Sequence, residues 1–277
     1  MSRRVLLLLL LVPACRTESP RPAPSVEPPA SVAPATPSLR ESEAAAPPSP
    51  PSGGPPALLS CLVRHYAGRA VEADGAWWLE LPGARVAFTG PARSLEVRQD
   101  APFVTDVFSP PYRPGPIRPV TDPEEDPGRA RIEALFDAAY GGTAARVEAA
   151  LVPVVLAGKT LRVHRKIEAP FRRVVARLDA LPRSPALADF GGTFNWRAIA
   201  GTERRSAHAW GIAIDLNPAV SDYWRNGPLA RPVYNNRIPQ AIVDAFEAEG
   251  FAWGGRWFHY DTMHFEYRPE LFDPACR

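Results

Sequence analysis

Residues 206–217 read Ser-Ala-His-Ala-Trp-Gly-Ile-Ala-Ile-Asp-Leu-Asn, and from Gly211 onward they alternate. Ile212, Ile214 and Leu216 fall on one face of an extended chain, and Gly211, Ala213, Asp215 and Asn217 on the other, because successive strand side chains point to opposite sides. A strand that buries its isoleucines therefore turns Asp215 into a space that a glycine and an alanine keep open. His208 stands just upstream, where the chain enters the strand. A second run, Trp253-Gly-Gly-Arg-Trp257-Phe-His259-Tyr-Asp261-Thr-Met-His264-Phe-Glu266-Tyr, puts His264 and Glu266 on one strand face. Met263, Phe265 and Tyr267 share the other, which reads as core.

Two imidazoles and one carboxylate are a sensible ligand set for one zinc ion per chain. They fill three of four tetrahedral positions at about 2.0–2.2 Å and leave the fourth for water, the arrangement of catalytic rather than closed structural sites. Zinc acidifies such a water and polarises a carbonyl, and a carboxylate must then carry the water's proton to the leaving amine. Asp261, three residues before His264, is the candidate base. Glu266 competes with it, because it shares the strand face of His264. On an ideal strand Asp261 and His264 face oppositely, so the choice of Asp261 requires a turn or bulge between them.

The pattern His208…Asp215 followed by Asp261…His264 resembles the D-alanyl-D-alanine carboxypeptidase (VanY-like) zinc peptidases and their L-alanyl-D-glutamate endopeptidase relatives. These share a fold superfamily with lysostaphin-type enzymes and the Hedgehog signalling domain. Gly192-Thr-Phe-Asn-Trp-Arg197, Ser206-x-His208-x-x-Gly211-x-Ala213-x-Asp215, Trp253-Gly-Gly-x-Trp257 and Asp261-x-Met-His-Phe-Glu266 look like the endopeptidase branch, as does Asp126-Pro-Gly-Arg-x-Arg131. The resemblance implies His208, Asp215 and His264 as zinc ligands and Asp261 as general base. Many carboxypeptidase members carry Glu at the base position; the endolysin-like members carry Asp. It further implies that Arg197 faces the substrate carbonyl or carboxylate, where it either stabilises the oxyanion or binds a free carboxylate, and that Ser206 hydrogen-bonds near substrate or ligand. Trp253 and Trp257 are either pocket walls or core. His259 reads as structural or exposed, with a hydrogen bond to substrate as the alternative, and His65 and His164 as ordinary satisfied histidines.

Working outward, Ala76–Leu81 and Ala84–Thr89 read as strands around the Pro82-Gly83 turn signal, and Val104–Asp126 as irregular. Pro127–Tyr140 reads as a helix stopped by Gly141-Gly142, Ala144–Leu151 as a second helix, Thr160–His164 as a strand and Ala169–Leu181 as an amphipathic helix. The expected fold is α+β: a small, mostly antiparallel sheet carrying the zinc site, flanked by helices. The peptidase domain is expected over residues 58–277, with its motif core at about 160–268.

The chain has 277 residues, 34 of them proline, and 13 of those prolines fall between Arg16 and Ala57. Residues 16–57 carry no aromatic side chain and cannot bury enough surface to offset ordering entropy, so they read as a Pro-rich disordered linker. Residues 1–15 read as a leader: a basic start, then an apolar run from Val5 to Val12, far short of the roughly twenty residues of a spanning helix. The leader ends in Val12-Pro13-Ala14-Cys15, which resembles a bacterial lipobox and implies lipidation of Cys15; an ordinary secretory signal is the alternative. Arg16 after that cysteine implies, by family analogy, the outer membrane, so the expected location is its periplasmic face. Cys61 and Cys276 remain, an even pair at the two ends of the domain, expected to form a disulfide in an oxidising compartment; two buried thiols are the alternative.

A net charge of +2 with no long basic run excludes a nucleic-acid footprint. A serine or cysteine hydrolase is disfavoured, since no G-x-S-x-G occurs and neither later cysteine lies in the histidine-rich runs. The expected function is an exported zinc peptidase, monomeric and tethered to the membrane by lipid, acting on peptidoglycan stem peptides. It either removes terminal D-Ala or cuts between L-Ala and D-Glu. The rival is a non-catalytic, zinc-containing wall-binding lipoprotein, which has no need of Asp261 and Arg197 beside the ligands.

Overall fold

In a computed structural model, which describes residues 54–226 and 233–276, the two informative runs are neighbouring strands of one antiparallel sheet. The leader, Cys15 and the linker up to Gly53 lie outside the described residues. Helix α1 (Ala57–His65) leads into a three-stranded antiparallel sheet, β1 (Arg69–Ala73), β2 (Ala76–Leu81) and β3 (Ala84–Ala87). The turn between β2 and β3 is Pro82-Gly83, as its residues predict. Helix α2 (Leu95–Asp100) follows, and then a largely irregular stretch that reaches α3 (Glu133–Tyr140). Next come α4 (Ala144–Glu148), a hairpin of β4 (Leu151–Leu156) and β5 (Lys159–His164), and the long helix α5 (Glu168–Asp179). The remaining elements are β6 (Phe190–Gly192), β7 (Ala213–Leu216), α6 (Gln240–Glu247), β8 (Phe251–Trp253) and β9 (His264–Tyr267). These last four strands form one sheet in the order β6-β7-β9-β8, with every pair antiparallel. The expected α+β class, small antiparallel sheets flanked by helices, is what the chain adopts.

β7 and β9 are the two central strands, and their register pairs Asp215 with His264 and Ala213 with Glu266. One face of this pair is apolar: Ile214 and Phe265 are fully buried, and Phe265 stacks on Phe246 of α6 at 4.1 Å between ring centroids. That main cluster also takes in Phe171, Val174 and Leu178 of α5. Each fully buried aromatic or aliphatic side chain there contributes about 1.5–3 kcal/mol by leaving water. A second cluster joins Leu59 and Leu62 of α1 and Leu79 of β2 to Ala252 of β8 and Leu271. Residues near both ends of the described chain therefore share a core, and the structure places Cys61 and Cys276 in disulfide contact with their Cα atoms 5.5 Å apart.

Two expected elements differ. Pro127–Tyr140 is helical only from Glu133; Gly128 adopts φ +73°, a left-handed geometry that breaks the helical path and that glycine adopts without strain. Arg129 and Arg131 consequently leave the chain toward the site rather than along a helix. The expected helix Ala144–Leu151 stops at Glu148, and Leu151 begins β4. The Leu-Val-Pro-Val-Val-Leu run there pairs with β5, and a two-stranded sheet is all edge, so Pro153 is tolerated.

Candidate metal centre

His208 sits on a short 3-10 turn, Ala207–Trp210, capped by Ser206, whose hydroxyl oxygen accepts the His208 backbone N–H. Asp215 and His264 face each other across β7 and β9. The three side chains converge: His208 Nε2 and His264 Nδ1 lie 3.2 Å apart, and Asp215 Oδ1 is 3.1 Å from the former and 3.0 Å from the latter. A tetrahedral ion with bonds of 2.0–2.1 Å has ligand–ligand edges of roughly 3.3 Å, so the triangle is nearly the right size without rearrangement. The donor set fits as well. His208 donates its Nδ1–H to the Thr193 carbonyl at 3.1 Å, and His264 donates its Nε2–H to Glu266 at 3.0 Å. Both inward nitrogens thereby face one carboxylate oxygen and are the atoms that would coordinate a divalent cation, His264 releasing its Nδ1 proton as the ion binds. His208, Asp215 and His264 are the residues that would hold it.

Glu266 supports this site without belonging to the cleft. Its side chain is wholly buried and bound on both oxygens by Arg131, with Arg268 donating to Oε1 at 3.0 Å. Burial alone pushes its pKa up, yet Arg131, His264 and Arg268 together hold it well below the usual carboxylate range. A carboxylate so engaged has no proton to exchange with substrate; it orients His264. Burial likewise pushes the His264 pKa down, but hydrogen bonds to Asp215 and Glu266 outweigh it and bring the ring to about 10. The imidazole is thus sandwiched between two anions and strongly attracts positive charge.

Asp261 occupies a different environment. Thr262 and Met263 form a turn between it and β9, the break in extended geometry that the base assignment requires. The turn is pinned on both sides. Asp261 donates its N–H to Gly254 at 3.0 Å, Thr262 donates to Asp222 at 2.9 Å, and the Trp253 indole donates to the Thr262 carbonyl at 2.9 Å. Gly254 is required, because a Cβ there would lie 2.5 Å from the Asp261 carbonyl oxygen. Oδ1 of Asp261 is buried with no hydrogen-bond partner among the described residues. Burial, and then the charge of Asp215, raise its pKa to about 6. A carboxyl group unengaged by protein, near its ligands and close to neutral in affinity, is suited to accept and return a proton.

These groups line one cleft of about 270 Å³ together with Arg197, Ser206, Trp257 and His259. Arg197 is exposed and makes no ion pair among the described residues, and its own carbonyl accepts the Ser206 N–H at 3.1 Å. Trp257 is a cleft wall, anchored by its indole N–H to the Pro127 carbonyl at 2.9 Å. Trp253 is fully buried on Phe265 and lies outside the cleft. Met263, expected in the core, lines the cleft instead, because it precedes β9 in the turn. His259 also lines it, held by Asp126, so its exposed reading is incomplete. The roles of Arg131, Arg268 and Asp126 were not legible as chemistry; only the resemblance in Asp126–Arg131 marked that stretch. His65 is bound to Asp273 at 2.9 Å beside the two cysteines, and His164 is buried with Nε2 on the Tyr140 carbonyl.

Three protein ligands, an open side and a nearby unengaged carboxylate are the components of a mononuclear metallohydrolase. Residues 200–267 match the family model described as D-alanyl-D-alanine carboxypeptidase. That span is about a quarter of the chain; it contains His208, Asp215, Asp261 and His264 and excludes Arg197 and Asp126–Arg131. No curated protein and no solved structure matches the chain. The match supports a metal-dependent peptidase related to enzymes that act on peptidoglycan.

Proposed function

We propose that the chain is an exported, zinc-dependent peptidase that cleaves peptidoglycan stem peptides, either as a D-alanyl-D-alanine carboxypeptidase or as an L-alanyl-D-glutamate endopeptidase. The observation that carries this reading is the triangle of His208, Asp215 and His264 with the unpartnered Asp261 oxygen in the same cleft. A zinc ion held by the triangle supplies Lewis acidity toward a peptide carbonyl and toward water. Asp261 takes a proton from the attacking water as its oxygen bonds to the scissile carbonyl carbon. It returns that proton to the amide nitrogen as the C–N bond breaks, which balances the hydrolysis. Arg197, free of other ion pairs among the described residues, donates to the oxyanion that develops on the former carbonyl oxygen. Ser206 positions His208 by accepting its backbone N–H at 3.4 Å.

The location belongs to the same proposal. A lipid on Cys15 and a linker of some forty residues would hold the domain near the wall, with a reach of about 30–40 Å for a flexible chain. An oxidising periplasm agrees with pairing of Cys61 and Cys276. The test is mass spectrometry of muropeptides digested by the full chain, with and without a zinc chelator. Chelator-sensitive loss of one alanine is the carboxypeptidase outcome, and a cut after L-Ala is the endopeptidase outcome. No product from a chain verified to hold zinc would overturn the peptidase reading in favour of a wall-binding protein.

A further inference from the structure

The wall of the cleft carries a second constellation that the hydrolytic chemistry does not use. Asp126 has a side chain with no exposure at all. It accepts from Arg129 Nη1 at 2.6 Å, from His259 Nδ1 at 2.8 Å, from the His259 backbone N–H at 3.1 Å and from Gln99 at 3.2 Å. Burial pushes this carboxyl up, but the hydrogen bond from His259 and the charge of Arg129 more than offset that and hold it at about 2. It is therefore a fixed anion, and two of its three side-chain partners, Arg129 and His259, line the cleft. Aromatic rings set their planes: the Arg129 guanidinium lies 5.6 Å from the Trp257 ring centroid, and the His259 ring meets Trp224 edge-on at 4.7 Å.

One buried carboxylate serves both groups, and the Arg129 guanidinium makes only that one hydrogen bond among the described residues, so most of its fork is left for a ligand. The surroundings are rich in positive charge. Arg131 lines the same cleft, and Arg204 has its pKa lowered by burial and then by the charges of Arg129 and Arg131. A planar fork backed by a buried anion, beside a second ring donor, matches a carboxylate in geometry and in sign. Arg197 is not part of this group; among the described residues it has no contact with Asp126.

We propose that Arg129 and His259, held by Asp126, form an anion subsite that takes a free carboxylate of the substrate peptide and so sets which peptides are cut. The proposal deepens the peptidase reading and rests on it. The free carboxylates of stem peptides include the α-carboxylate of D-Glu and the terminal carboxylate, and each of these can be converted to a carboxamide of nearly the same shape.

The experiment uses the full zinc-loaded chain and two matched pairs of stem peptides, each pair differing by one acid-to-amide change. Binding is read by calorimetry in an Asp261→Asn background, which removes turnover, and KM and kcat are read with Asp261 present. The expected result is that one acid binds roughly tenfold to a hundredfold more tightly than its amide. Arg129→Gln should erase that preference by raising KM for the acid and not for the amide, with any change in kcat shared by both peptides. His259→Gln, which keeps the Arg129–Asp126 pair intact, should erase part of it; because the amide serves as internal control, general loss of fold would lower both peptides alike. Equal losses on acid and amide, or a fall in kcat alone, would overturn the subsite and leave the peptidase reading standing. Acid-selective binding with no turnover by the Asp261 chain would do the reverse.

Discussion

The sheet formed by β1, β2 and β3 and the sheet formed by β6, β7, β9 and β8 are both small and antiparallel, yet they treat charge in opposite ways. In the first, only Leu79 and Leu81 are buried, and the cross-strand pair Arg69–Glu80 lies in solvent. In and immediately around the second, His208, His264, Glu266, Arg268 and Glu270 are all nearly or wholly buried. Taking an ion out of water costs several kcal/mol unless geometry and hydrogen bonding recover it. A fold seeking stability alone would do better with apolar residues there. The contrast between the two sheets points to the site: only the second carries buried charge on its strands, and there Glu266 contacts His264 directly, with Arg131 and Arg268 bound to it.

The sharpest way to break this comparison is to remove the centre itself. Asp215→Ala or His264→Ala should abolish zinc retention, measured by metal analysis of the purified chain. Asp261→Ala should keep zinc and lower turnover by about 10²–10⁴-fold, the usual worth of a positioned base. Zinc loss in that variant would make Asp261 a ligand instead of the base. Next in size, Glu266→Ala leaves Arg131 as an uncompensated buried cation and Arg268 with Glu270 as its one remaining carboxylate among the described residues. It should cost roughly 3–5 kcal/mol in denaturant unfolding and weaken zinc about 10- to 100-fold through loss of the His264 partner.

A smaller effect separates the regions by pH. His164 in β5 is held neutral: burial and then the charge of Lys166 lower its pKa to about 4, against 6.5 for the free side chain. The unfolded chain therefore binds the proton first as pH falls. This contribution is complete above about pH 6.5, is lost progressively down to about pH 4, and amounts to something on the order of 2 kcal/mol. His164→Gln should flatten that part of a stability–pH curve; an unchanged slope would show that the ring is not held neutral. The smallest effect belongs to the outer sheet, where Glu80→Ala should change stability by less than about 1 kcal/mol. A loss comparable to that of Glu266→Ala would erase the distinction between the two sheets.

Much of the centre was legible because it is written in short periods. Alternation through Ile212, Ile214 and Leu216 gave the strand and its polar face, and the spacing of Asp261 and His264 demanded the turn at Thr262–Met263. What stayed hidden depends on contacts across long chain separations. Arg131 meets Glu266 across 135 residues, and Asp126 meets His259 across 133, so no local pattern announces that one carboxylate orients a ligand and the other holds a cleft wall. Glu266 consequently looked like a rival base, since sharing a strand face with His264 says nothing about the arginines behind it. The two elements within residues 127–151 that differ from expectation do so for a local reason. A short apolar run such as Leu151–Leu156 fits a helix end or a strand equally well until a partner strand decides it, and Gly128 unwinds a stretch whose apolar spacing is helical.

The pairing of Asp215 with His264 across β7 and β9 also sets the rules for change in length. Because strand side chains alternate, inserting or deleting one residue within Ala213–Leu216 or His264–Tyr267 would turn a ligand onto the apolar face and bring an isoleucine or phenylalanine into the cleft. Between those strands, residues 217–252, which include α6 and the start of β8, are under no such parity constraint outside that strand. New substrate contacts could be gained there by loops growing or shrinking in any increment, while the metal triangle stays in register.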